Sequence, residues 1–172
     1  HASGHFDLVG TPLSLFPSVL LGDLERQKLL TFFPVAATKF LAFNTSIPPF
    51  NNANIRKAFA YAISRESIVQ HVTRLKGLEE LSLNTIEPPV FMFVSSEINK
   101  ALSQALQQMW FNALGVKVIL EQTEFKVLHE RAEKGNFSIG IFAWLADYGD
   151  PMNILERFAN KDNHRNYSKW EN

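Results

Sequence analysis

The stretch from Asn136 to Phe158, NFSIGIFAWLADYGDPMNILERF, constrains the fold more than any other. Phe137, Ile139, Ile141 and Ala143 alternate with Ser138, Gly140, Phe142 and Trp144. Successive side chains of a strand point to opposite faces, so this period of two in β-branched and aromatic residues predicts a strand. Ala146-Asp147-Tyr148-Gly149 ends it, and Asp150-Pro151 supplies a helix cap and a first helical residue. Ile154, Leu155 and Phe158 follow at helical spacing. The unit is a strand, an acidic turn and a helix. It gathers acidic and aromatic groups at the C-terminal end of a strand, where open α/β sheets place their ligands. Read on these residues alone, Asp147 also fits a turn cap and Trp144 a core residue.

The rest of the chain supplies further strands and helices in alternation. Leu13 to Leu30 mixes Pro17, Gly22 and apolar residues, and only Asp23–Lys28 has helical character. Lys39 to Thr45 alternates as a strand, and Pro48-Pro49 then end any sheet pairing. Asn51 or Asn52 caps a helix whose apolar positions are Ile55, Ala58, Phe59, Ala62 and Ile63. Ser64 reads as the cap of another helix, with Ile68, Val69 and Val72 on its apolar face. Arg56 and Arg65 read as solvated or ion-paired helix positions.

Pro88-Pro89 interrupt the segment from Arg74 to Val94, in which Val90–Val94 reads as a buried strand and Leu81–Ile86 as the alternative. Ser95 or Ser96 caps the longest helix, whose stripe runs from Ile98 through Leu102, Leu106, Met109 and Trp110 to Leu114, with Gly115 as its stop. Met and Trp on such a stripe are core residues. Val116, Val118 and Leu120 alternate in a strand, and Glu124–Lys134 forms a helix with Phe125, Leu128 and Ala132 inward and Gly135 at its end. Strands alternating with helices predict an α/β fold with a mixed sheet and flanking helices.

Composition narrows the function classes. At 172 residues, with 46% hydrophobic and 20% charged side chains, the chain can bury the core of one domain. Seventeen basic and seventeen acidic side chains balance, so nothing draws it electrostatically to nucleic acid. Without cysteine there are no disulfides and no thiolate chemistry. The five histidines are scattered without metal-ligand spacing, and neither a G-x-S-x-G elbow nor a Gly-rich phosphate loop occurs. Asp147 and Asp150 stand three apart across a turn with no second acid placed to face them, which is a poor hydrolytic pair. No catalytic constellation emerges, and neither a cofactor nor a metal is expected.

Several stretches carry a resemblance. Ala143-Trp144-Leu145-Ala146-Asp147-Tyr148-Gly149-Asp150-Pro151 resembles the G-W-x-A-D-Y-x-D-P hallmark of the oligopeptide-binding extracytoplasmic receptors of ABC importers, solute-binding family 5, with Ala143 in place of Gly. Phe6–Pro12 is similar to an early segment of that family. Phe43–Glu66 (FNTSIPPFNNANIRKAFAYAISRE) and Ser95–Val118 (SSEINKALSQALQQMWFNALGVKV) match it strongly and in order, and Glu124–Lys126 with Lys134–Phe137 extends the second match.

The resemblance implies that residues 1–172 form a single lobe, much of the second, excised from a larger two-lobed receptor of periplasmic-binding-protein type II fold. Residues 74–94 would be a connection shorter than that of relatives. It also implies capture of an oligopeptide, with Ala143, Trp144 and Leu145 pairing to the peptide backbone and the Asp147 carboxylate facing the N-terminal ammonium. Trp144 would wall a side-chain pocket. Basic residues clamp the peptide's C-terminal carboxylate in some relatives, but here Ile141 holds the corresponding position, and Arg131 and Lys134 are out of register. The partners implied are the peptide and the importer's permease subunits, and the place is periplasmic or extracytoplasmic, with a lipid anchor on the parent left open. Other branches of the family bind nickel chelates, haem or cell-wall peptides, and a surface interaction protein is the alternative from another class.

Overall fold

The computed structural model describes residues 20–31, 36–64 and 87–170. The expected early family segment at Phe6–Pro12, the helix after Ser64, the alternative strand Leu81–Ile86 and most of the connection at 74–94 lie outside them. The chain divides into two compact units, His1–Ala36 and Ala37–Asn172. Of the first, a single short helix is described, α1 (Leu21–Arg26), in which Arg26 pairs with Asp23 one turn earlier.

The second unit holds a four-stranded sheet. Its elements in chain order are β1 (Ala37–Phe43), α2 (Ala53–Tyr61), β2 (Val90–Val94), α3 (Glu97–Leu114), β3 (Ile119–Thr123), α4 (Phe125–Glu133), β4 (Ile139–Leu145) and the single turn α5 (Met152–Leu155). The strand order is β1-β4-β2-β3. β2 runs parallel to both β3 and β4, and β1 closes the β4 side as an antiparallel edge. The expected mixed sheet with helices on its faces is therefore present.

Capping chemistry sets the helix bounds. The Asn52 side chain accepts from the Asn54 N–H (2.8 Å), and the Ser96 hydroxyl accepts from the Asn99 N–H (3.1 Å). Gly115 ends α3 at φ 68°, a left-handed conformation that glycine adopts without Cβ strain. Three expectations are corrected. Ile98 lies off the buried stripe of α3 and is exposed. Phe125 at the start of α4 is also exposed, with its ring against His129 at 4.1 Å between centroids. Val116 and Val118 are buried ahead of β3 rather than in it.

Each face of the sheet has its own core. Phe91, Phe93, Ile139 and Ile141 pack with α2 and α3 around Trp110, which is fully buried and donates its indole N–H to the Phe59 carbonyl at 3.0 Å. Phe43, Phe50, Phe59, Trp110 and Phe91 make a chain of ring contacts 4.8–5.4 Å apart across that face. Each such contact adds about 0.5–1.5 kcal/mol beyond the area it buries. On the other face Ala42, Met92 and Phe142 pack with Leu128 and Ala132 of α4 and with Tyr167. Burial of β2 on both faces explains its unbroken VFMFV run. A Cβ at Gly140 would stand 2.5 Å from the Phe142 ring, so glycine there lets that ring lie over the strand.

Asn44 joins β1 to the turn ahead of β4. Fully buried, it donates to the carbonyls of Gly135 (2.8 Å) and Phe137 (3.1 Å) and accepts from the Ser46 N–H (3.1 Å). Asn44→Ala should leave both carbonyls unpaired and lower unfolding stability by about 2–3 kcal/mol, as read from urea denaturation. A change below about 0.5 kcal/mol would show that the amide does not hold the turn.

Candidate ligand site at the end of β4

β4 leaves the core as it approaches its C-terminal end. Ile139–Phe142 are buried, whereas Ala143 and Leu145 are exposed and Trp144 is partly covered. Its two edges differ. Against β1 it is paired along its whole length, from Phe43↔Ile139 to Ala37↔Leu145. Against β2 it is paired only at Ile139 and Gly140. Among the described residues, the edge of Ile141–Leu145 that faces away from β1 has no strand partner.

The turn beyond β4 is held by two side chains. The Asp150 carboxylate accepts from the Met152 N–H at 2.8 Å and starts α5, as its expected capping role requires. The helix is shorter than its spacing suggested: after Leu155 the chain tightens into a 3₁₀ turn, Glu156–Phe158. Asn153, almost fully buried, points its Oδ1 back at the strand end. That oxygen accepts from Trp144 Nε1 at 2.9 Å and from the Asp147 N–H at 3.3 Å. A single amide thus fixes the indole and the acidic turn together.

The four residues expected to bind ligand sit in this one place, in unequal roles. The Asp147 carboxylate is exposed and makes no hydrogen bond or ion pair among the described residues; only its backbone N–H is engaged. It therefore does not cap the turn, which Asn153 and Asp150 hold. Ala143 and Leu145 lie on the strand at the open edge. Trp144 differs from the bare aromatic wall expected, because the Arg157 guanidinium lies over its ring at 3.6 Å and that of Arg165 at 5.1 Å. These two arginines escaped the sequence reading, since no motif or helical period links them to Trp144. Residues considered for a carboxylate clamp lie elsewhere. Ile141 is buried in the core, and Arg131 is paired with Glu121 and bonded to the Asn136 carbonyl.

Two cavities stand out among the described residues. The larger, about 480 Å³, lies at the opposite end of the sheet beside Asn44 and Gly135 and mixes Lys134, Lys161 and Lys169 with Glu133 and Asp162. The smaller, about 330 Å³, lies against Ala143 and Trp144 and is lined by both arginines. Among the described residues, no three histidine or acidic side chains gather as a metal site, and no helix is long and apolar enough to cross a membrane.

A strand end with one unpaired edge and an unengaged carboxylate thus lies at the C-terminal end of β4 in an α/β fold with a mixed sheet. Residues 3–97 and 88–166 match the model for bacterial extracellular solute-binding proteins, family 5, and the chain belongs to that family. It is 30% identical to the oligopeptide-binding protein OppA of Bacillus subtilis over 99% of its own length and 38% of the relative's. It is 27% identical to the dipeptide-binding protein DppE of the same organism over 91% and 36%. Among solved structures, a periplasmic oligopeptide-binding protein of Borrelia burgdorferi superposes with a TM-score of 0.74 at 22% identity, covering 91% of this chain and 37% of that one. The fold is that of one lobe of a type II periplasmic binding protein, and the chain spans roughly two-fifths of the length of the curated relatives it matches.

Asn153→Ala should free both the Trp144 indole N–H and the Asp147 amide. Loss of a net hydrogen bond of about 1–1.5 kcal/mol predicts hydrogen exchange roughly tenfold faster at both positions, measured by NMR, with β2 unchanged. Unaltered exchange at the two sites would show that Asn153 does not organise the turn.

Proposed function

We propose that this chain is one lobe of a two-lobed extracytoplasmic receptor that delivers oligopeptides to the permease of an ABC importer. The observation that carries this reading is the Asp147 carboxylate, exposed and unengaged one turn past a strand whose outer edge is open. A peptide laid along Ala143–Leu145 would complete the ladder with its own backbone, which binds without regard to sequence. Its α-ammonium would then meet Asp147 in a charge-assisted hydrogen bond. Membership of the solute-binding family supports the reading, as do its oligopeptide- and dipeptide-binding relatives. Such a receptor releases its cargo unchanged. Its place is outside the cytoplasm, where a lipid anchor on the parent would hold it near the permease.

A hydrogen bond to a charged group contributes about 1.5–3 kcal/mol, which at about 1.4 kcal/mol per tenfold sets the size of the test. In the two-lobed receptor, Asp147→Asn should weaken binding of a free tripeptide by roughly ten- to a hundredfold, measured by calorimetry. The N-acetylated tripeptide should bind the wild type poorly and lose little more in the variant, because the pair is absent in both. Equal wild-type affinity for free and acetylated peptide would remove Asp147 as the ammonium site.

A further inference from the structure

The cavity beside Trp144 has an electrostatic imbalance. Arg157 is 5% exposed, and its Nε is buried without a hydrogen-bond partner. Among the described residues, neither Arg157 nor Arg165 forms an ion pair with a carboxylate. A buried cation without a counter-charge is costly, and stacking on an indole offsets only part of that cost. Burial and then the like charge of Arg165 lower the Arg157 guanidinium from its ordinary value, against the opposing pull of Tyr167 and Glu156.

We propose that Arg157 and Arg165 form a subsite for a single carboxylate carried by the bound ligand. The inference rests on the peptide-binding reading above. The walls fit such a group: Phe40, Phe125, Phe142 and the Trp144 ring supply apolar surface for a short hydrocarbon stem, and the guanidiniums receive its charged end. Glu133 also lines the cavity, and its charge disfavours a dianion such as phosphate more than a monoanion. His129, His164 and Tyr167 complete the polar lining. The Trp144 indole N–H and the Asp147 N–H share Asn153 Oδ1 as acceptor, at 2.9 and 3.3 Å, so the indole under the arginines stands beside the acidic turn. A short peptide anchored by its ammonium at Asp147 and laid back along β4 would bring either an acidic side chain or its C-terminus to the arginines. The subsite would make the receptor favour peptides with an acid at that point.

The test is an NMR titration of the ¹⁵N-labelled chain, following the Arg157 Nε–H, the Trp144 indole N–H and the Asp147 amide. Probes are sodium acetate, inorganic phosphate, and Ala-Glu-Ala, Ala-Gln-Ala and their C-terminal amides at millimolar concentration. Acetate should shift the Arg157 and Trp144 signals saturably, and more strongly than phosphate at equal concentration. Among the peptides, removal of one carboxylate should weaken the Arg157 shift at least fivefold. If Glu→Gln does this, the carboxylate is a side chain; if amidation does, it is the C-terminus. Arg165→Gln, an exposed change that leaves the core intact, should reduce the preference to less than twofold. An Arg157 signal indifferent to acetate, or answering all four peptides equally, overturns the subsite. Movement of the Asp147 amide reports separately on the peptide-binding reading, so either can fail without the other.

Discussion

Unequal pairing of β4 is the constraint on which the site depends. β1 holds it along seven residues, whereas β2 holds it only at Ile139 and Gly140. The first half of the strand is therefore buried on both faces and both edges. The second half, from Ile141 on, is paired with β1 alone. An open edge costs little here because it is short, ends in a turn and carries an acid just beyond, features that discourage pairing with a second copy. The same edge suits an extended segment that brings its own donors and acceptors and a positive end.

Rigidity behind that edge comes from buried polar groups, each used to hold a turn. Asn44 fastens the entry to β4 and Asn153 fastens its exit, and both are almost wholly enclosed. Neither contributes apolar area. Leaving their partners unpaired would cost more than the bonds themselves contribute, so each specifies one geometry of its turn. Arg157 is the exception: enclosed, charged and stacked on Trp144, it has a buried Nε without a hydrogen-bond partner and forms no ion pair among the described residues. A buried cation held without an ion-pair partner beside a cavity is a mark of function more than of stability.

Much of this could be read from the amino acids, because strand and helix periods follow from local geometry. The alternation from Phe137 to Trp144, the stripe leading to Trp110, and the caps Asn52, Ser96 and Gly115 all depend on neighbours within one turn or one pleat. The motif around Asp147 carried the family. What escaped depends on contacts between segments distant in the chain. Phe125 and Ile98 read as inward-facing positions but are exposed among the described residues. Trp144 fitted a core or a bare pocket wall equally well, and only folding brings Arg157 and Arg165 over its ring. The carboxylate of Asp147 could have capped its own turn; the choice fell to Asp150 and Asn153 through the path of the chain after Pro151.

Amide hydrogen exchange along β4, resolved by residue, tests peptide pairing most directly. With a short peptide at millimolar concentration, the amides of Ile141–Leu145 that point away from β1 should exchange several-fold more slowly. Those bonded to β1 should keep their rates, giving an alternating pattern along the strand. Uniform slowing, or no change on the open edge while the peptide binds elsewhere, would contradict a site built on the unpaired end of β4.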